Sequence, residues 1–371
     1  MRHSLGGVLV IVHYNISEVA SCFLDRSQNR EPIDYHGTLS WYQNFVTTCL
    51  DPGDEPIFFD LSDGAGRRTV LTMRLRRDGS GPMRSRTLAS LTNYYSCWFA
   101  PHGLDMMPNP AGTIEDWGRA LRRWRERPHR VRFDALDSSS AGFSALAIGL
   151  RRAGYWLDCY PQFGNWYLSV GDREFGSYWA SRVPTLRHTV ERKERALRLQ
   201  HKVSIDVIAA PEAAGLAIAL YQQVYAASWK RPEPYPRFIP GLIEHGLSDR
   251  SLAVGVLKVD GTPVATQIWI FFKDRATIFK LAHLEDFSRW SVGSILTRHL
   301  MERALSDPRV REIDFGRGDD PYKQLWLPYR RQRWGIIAYD PGTVTGLGHA
   351  MRNFGPKVLR WAVRRGTAKQ G

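Results

Sequence analysis

Ser291-Val292-Gly293-Ser294 follows a strand-like run and opens a helical one, a layout in which free backbone N–H groups and the helix dipole can receive an anion. A pyrophosphate suits it, because Gly293 removes a side chain where the backbone must come closest and Ser291 or Ser294 adds a hydroxyl donor. The same residues also fit an ordinary serine N-cap with a tolerated glycine. A second concentration of polar groups, Asp314-Phe315-Gly316-Arg317-Gly318-Asp319-Asp320-Pro321-Tyr322-Lys323, ends a strand and runs into a helix. Two glycines permit a tight loop, Asp319 or Asp320 can cap the helix, and Tyr322 and Lys323 project from its first turn. Capping accounts for one aspartate, and a salt bridge to one of the acids is the plain alternative for Arg317. What remains is a carboxylate, a phenol and an ammonium, the groups that move protons and stabilise developing charge.

These segments need a scaffold, and the surrounding pattern supplies one. Ser251 to Val259 reads as a strand, Asp260-Gly261-Thr262-Pro263 as a turn, Val264 to Phe272 as the return strand and Ala276 to His283 as a third, giving three antiparallel strands. A helix from Ser291 to about Leu305 follows, then a short strand at Val310 to Phe315 and a last helix and strand. Upstream, Glu212 to Trp229 reads as a helix, and a proline-rich loop (Pro232, Pro234, Pro236, Pro240) with Trp229, Tyr235 and Phe238 reads equally as a cleft wall or a stiff connector. In the first half, Gly6 to Val12, Pro56 to Leu61, Thr69 to Leu75 and Arg130 to Leu136 read as strands, Ile114 to Arg127 and Ser139 to Ala153 as helices, and Tyr155 to Tyr160 with Asn165 to Val170 as a hairpin. Tyr178 to Leu199, rich in both charge signs, reads as an exposed helix joining two modules.

The chain has 371 residues, 43% of them hydrophobic and 12% aromatic, enough for two ordinary domains with their own cores. Four scattered cysteines and no clustered histidines suggest neither a metal site nor a disulfide framework, so a reducing, cytoplasmic setting is expected. A formal net charge of +14 implies attraction to polyanions, which covers nucleic acid, acidic lipid and phosphorylated cofactors alike. No specific nucleic-acid partner is expected, since no such motif surrounds the basic cluster at Arg119, Arg122, Arg123, Arg125 and Arg127, which reads as the solvated face of an amphipathic helix.

In this order, after three strands, the two polar segments resemble the GNAT superfamily of N-acyltransferases. Ser288-Arg289-Trp290-Ser291-Val292-Gly293 occupies the place of the superfamily's Gln/Arg-x-x-Gly-x-Gly/Ala coenzyme A loop, with Ser288 for the usual Gln or Arg and Ser291 for the first glycine. Glu312 to Trp326 looks like the signature of the bacterial acetyltransferase group that includes cellulose-biosynthesis-type proteins, itself related to Fem-type peptidoglycan aminoacyltransferases. The resemblance implies an α/β (α+β) fold with a mixed, largely antiparallel sheet flanked by helices, in tandem GNAT-like lobes: a degenerate first lobe over 1–173, an acyltransferase lobe over 174–345 and a basic tail over 346–371.

It further implies acetyl-CoA, or another acyl-CoA, as co-substrate, without metal, and an amine acceptor that is a small molecule, an amino sugar or a cell-envelope precursor. Ser288, Arg289, Ser291, Val292, Gly293 and Ser294 would hold the cofactor. Lys323 would polarise the thioester carbonyl, Tyr322 would protonate the leaving thiolate, and Asp319, Asp314, His283 or Glu285 would accept the amine's proton. His283 reads as readily as a satisfied histidine at a strand end. An aminoacyl-tRNA-dependent transferase and a non-catalytic binding module are the rival readings. In the tail, Arg352, Lys357, Arg360, Arg364, Arg365 and Lys369 interleave with Val358, Leu359, Trp361 and Val363. With Pro356 at the first position of a short helix, they form a docked helix or a weak contact with the anionic inner membrane face.

Overall fold

The structure, a computed structural model, describes residues 2–5, 8–24, 34–79, 85–171 and 174–367. Two compact units interleave along the chain, the first made of Met1–Pro32, Leu50–Gln162 and Arg333–Gly371, the second of Ile33–Cys49 and Phe163–Gln332. A cut in chain order at 173/174 would therefore leave the helix Leu39–Thr48 and residues 163–169 of the strand Trp156–Ser169 with the first lobe.

The units repeat one plan. In the first, Asp54–Asp63, Arg68–Asp78 and Ser85–Ser90 form an antiparallel run. The helix Pro110–Arg123 then leads to Arg130–Asp137, which pairs parallel to Ser85–Ser90, and the helix Ala141–Arg152 leads to the strand Trp156–Ser169. In the second, Leu252–Val259, Thr262–Phe272 and Arg275–His283 form the antiparallel run. The helix Val292–Leu305 then leads to Glu312–Asp314, parallel to Arg275–His283, and the short helix Lys323–Trp326 leads to the strand Tyr329–Tyr339. Each closing strand changes unit along its length. Residues 167–169 pair with Glu312–Asp314 in the second unit, and residues 333–339 pair with Arg130–Asp137 in the first. The expected mixed, largely antiparallel sheet flanked by helices, in tandem lobes, is the architecture observed.

Aromatic packing fills both cores. Phe59 lies 5.5 Å from Trp117 and 5.6 Å from Trp124 in the first unit. In the second, Ile295, Leu296, Leu300 and Met301 turn one face of their helix onto Trp269, Leu257 and Val264, the apolar stripe that 3.6-residue periodicity requires.

Several sequence expectations are corrected. The hairpin across Tyr155–Val170 is a single strand, Trp156–Ser169. Its Gly164 leaves room for the Asp319 carboxylate, which a Cβ there would meet at 1.9 Å. The exposed linker over Tyr178–Leu199 is two helices, Phe175–Ala180 and Pro184–Gln200, whose Tyr178, Trp179, Leu186, Val190 and Leu197 are buried in the second unit's core. Apolar residues at helical spacing outweigh the charge pattern there. The helix expected over Ile114–Arg127 runs Pro110–Arg123, and Arg122 and Arg127, read as solvated, both pair with the buried Asp340. Thr262 and Pro263 belong to a strand rather than a turn, and Phe238 and Pro240 to the helix Phe238–Ser248 rather than a loop. Pro356 lies inside one long helix, Val344–Thr367. Lys369, and Gly6 and Gly7 of the first apolar run, lie outside the described residues.

Candidate active site

The one parallel pair of the second unit covers only Arg275 to Thr277 against Glu312 to Asp314. Beyond it the chain after Asp314 turns toward the strand Trp156–Ser169, Phe315 N–H donating to the Trp166 carbonyl at 3.0 Å. Residues 278–283 thus line an opening on that edge. Lys280 points into the buried part of it and pairs with Glu233 at 2.9 Å, both side chains under a tenth exposed. At the strand's end His283 packs against the half-exposed Trp229, ring centroids 4.3 Å apart and the planes tilted by 54°, and one ring nitrogen lies 3.2 Å from the Ser288 hydroxyl. The other nitrogen, Nδ1, is buried without a hydrogen-bond partner. Burial, reinforced by the Lys230 charge, lowers the His283 pKa, so the imidazole is neutral near pH 7.

Helix Val292–Leu305 starts abruptly from a left-handed Ser291, φ +55°, whose side chain makes no capping bond. Ser291 is thus the N-cap residue, as the sequence reading allowed, but without the side-chain bond of an ordinary serine cap. The first-turn N–H groups are therefore not taken up by a cap. Its counterpart in the first unit differs, since Asn109 caps Pro110–Arg123 by accepting from Gly112 N–H at 3.0 Å. Of the residues expected around a pyrophosphate, Val292 is fully buried and offers only its backbone, Ser288 holds His283, and Arg289 lies over the Trp290 ring at 5.2 Å. Ser291 and Ser294 are half-buried at the helix entry. A Cβ on Gly293 would stand 3.2 Å from His283 Nδ1, so the open face of this turn is directly over the imidazole.

The polar loop after Asp314 is held from within. Lys323 is 3% exposed, and its ammonium donates to the carbonyls of Arg317 at 2.6 Å and Gly318 at 3.3 Å while pairing with Asp320 at 3.1 Å. Neither Asp319 nor Asp320 caps the following helix, whose N-cap is Tyr322 with no side-chain bond. Asp319 forms a two-pronged pair with Arg330, both contacts 2.7 Å, and that partner holds its carboxyl below the usual range. Arg317 forms no carboxylate pair among the described contacts and lies over the Phe163 ring at 4.1 Å. Asp314 is buried and accepts from Asn165 and from Gly316 N–H, both at 2.6 Å, and from Arg331. Tyr322 is exposed along its ring, while partial burial and the neighbouring Asp320 push its phenol well above the ordinary value, so it stays protonated.

The charges of Lys280, Lys323, Glu233 and Asp320 act on one further residue, Lys230, whose own charge in turn acts on His283. Burial and the like charge of Lys280 lower its ammonium to about 8, against the opposing pull of Glu233 and Asp320. Asp314 and Asp319 instead belong to the arginine pairs of Arg331 and Arg330. Lys230, Glu233 and Lys280 escaped the sequence reading. Lys280, a lone cation in the apolar run Ala276 to His283, carried a signal, whereas Lys230 between Trp229 and a proline stretch carried none. Among the described residues no group of His, Cys, Asp and Glu is arranged to hold a metal ion.

Comparison with known proteins places this architecture. The family model described as an acetyltransferase (GNAT) domain matches residues 185–324. Residues 185–324 thus carry a GNAT acetyltransferase domain, whose enzyme class is acyltransferase. No curated protein sequence matches the chain. Solved structures resemble it over most of its length. FemX is 10% identical, with a TM-score of 0.58 over 89% of this chain and 96% of that one. The C-terminal domain of a putative lysylphosphatidylglycerol synthetase from Agrobacterium fabrum is 16% identical, with a TM-score of 0.52 over 92% and 97%. A tandem GNAT protein from the clavulanic acid biosynthesis pathway is 13% identical, with a TM-score of 0.50 over 90% and 99%. At these identities the likeness is one of fold.

Proposed function

We propose that the protein transfers an acyl group, most simply acetyl, from acyl-CoA to an amine of an amino sugar or cell-envelope precursor, and that the second lobe alone, 174–345, does the chemistry. The uncapped start of helix Val292–Leu305 beside the strand opening carries this reading, set against the Asn109-capped counterpart in the first lobe. Two free N–H groups and a helix dipole at Val292 and Gly293 suit a pyrophosphate, with Ser291 and Ser294 alongside. In the opening, Tyr322 remains protonated and suits the leaving thiolate, and neutral His283, with a nitrogen lacking a partner, suits the amine's proton. Lys323 acts through its field on the carbonyl, since its hydrogens hold the loop. The arginine pairs make Asp319 and Asp314 supports rather than bases. Titration of the protein with acetyl-CoA by calorimetry tests the donor: no heat at millimolar ligand removes it. Aminoacyl-tRNA is the second donor, favoured by the charge of +14 and by the fold shared with FemX. Transfer of a labelled aminoacyl group from charged tRNA, with none from acetyl-CoA, would select it. The cellulose-biosynthesis-type kinship and a cytoplasmic site of action belong to the same proposal.

A further inference from the structure

Glu233 pairs with Lys280 at 2.9 Å and Asp320 with Lys323 at 3.1 Å, and the charges of both pairs act on a third lysine, Lys230. Lys230 itself forms no ion pair among the described residues, and its ammonium lies 5.8 Å from the centroid of the Trp229 ring. His283 adds no charge while neutral. The cluster is thus one negative charge short. A half-buried ammonium in that position costs desolvation without recovering it from a partner, and its lowered pKa, about 8, is the expected consequence. Beside it Trp229 keeps 49% of its surface exposed, a flat face that a sugar ring can cover.

We propose that Lys230 receives an anionic group, carboxylate or phosphate, carried by the amine acceptor itself, so that the acceptor is an anionic amino compound, an acidic amino sugar in the form that also covers the Trp229 ring. This deepens the acyltransferase reading and rests on it for the identity of the ligand as acceptor. It adds a charge requirement that neither the donor site nor the fold imposes. The missing charge arrives with the substrate, and the closed complex pairs every cation in the opening.

The test compares three probes on the full-length protein by calorimetry: glucosamine, glucosamine 6-phosphate and muramic acid. The wild type is expected to bind at least one anionic probe tenfold or more tighter than glucosamine, about 1.4 kcal/mol. Lys230→Met abolishes that preference, and Lys230→Arg retains most of it. Circular dichroism of both variants checks the fold. Equal binding of the three probes, no binding of either anionic probe, or a preference that survives Lys230→Met overturns the proposal. Inorganic phosphate as a fourth titrant separates the sources: if it binds as tightly as the phosphorylated sugar, the site takes free phosphate and the acceptor assignment fails. Acetyl-CoA titrated into the wild type reports separately on the donor. Silence there with the anion preference intact would sink the acyl-CoA reading and leave the anion site standing.

Discussion

Gly293 stands at the tightest point of the proposed donor site, because any side chain there meets both the imidazole of His283 and the space above the helix start. Gly293→Trp is expected to raise the dissociation constant for acetyl-CoA at least tenfold, about 1.4 kcal/mol, and unchanged affinity in a folded variant would move the pyrophosphate elsewhere. Lys323 poses a different question. Its ammonium is spent on the Arg317 and Gly318 carbonyls and Asp320, so its influence on a carbonyl is that of a fixed nearby charge. Lys323→Ala should lower turnover by about 100-fold while donor affinity falls far less. Equal turnover at saturating donor would remove it from the mechanism. The sequence marked both residues, through a glycine at a helix start and a lysine in a glycine-rich loop. It did not mark Lys230, since nothing in the order of residues brings position 230 to positions 280 and 323.

At the scale of elements, the helix Leu39–Thr48 shows how a segment distant in sequence is built into the second unit. Trp41 packs on Phe238 at 5.2 Å and on Phe279 at 6.0 Å. Just before the helix, the buried Asp34 bonds His36 at 2.5 Å and Arg275, and Arg275 also reaches Glu312 at 2.7 Å. Burial pushes the Asp34 carboxyl up, but His36 and Arg275 outweigh it and leave its pKa far below the usual carboxylate range. A depressed pKa contributes stability that is present above the unfolded value, about 3.9, and is lost as pH falls toward the folded one. Asp34→Asn should therefore cost about 3 kcal/mol at pH 7 by leaving Arg275 without part of its partner set, and the gap to wild type should narrow between pH 4 and pH 2. Denaturant midpoints at the three pH values measure it; a gap independent of pH would assign the loss to packing instead. The succession of three antiparallel strands, helix and short strand was readable in the second half because the turn at Asp260-Gly261 and the apolar strands are clean. The closing strands were not, because a strand whose two ends serve different units presents no single alternation.

For the molecule as a whole, the basic C-terminal segment links charge to location. Ala350 is buried, His349 lies 3.0 Å from Ser85, and Asn353 and Lys357 both bond Asp158 in the first unit, so the helix is tied down at least to residue 357. No helix among the described residues is long and apolar enough to cross a membrane. A chain ending at Lys357 keeps these contacts and drops Arg360, Arg364, Arg365 and Lys369. If those residues rest on acidic lipid, each adds about 1 kcal/mol, and the shortened chain should pellet with anionic vesicles far less than the full one at low salt. Equal pelleting, or pelleting that survives high salt, would end the electrostatic proposal.

What the sequence by itself determined is local: strand and helix periods, the turn residues, the helix start at Ser291 and the polar loop from Asp314 to Lys323, each legible because its signal lies within a few consecutive residues. Pairing was the business of the tertiary structure. Folding assigned Asp314 and Asp319 to arginines, left Ser291 uncapped, and set Lys230 among cations already matched, because burial and charge balance are sums over neighbours that chain order does not bring together.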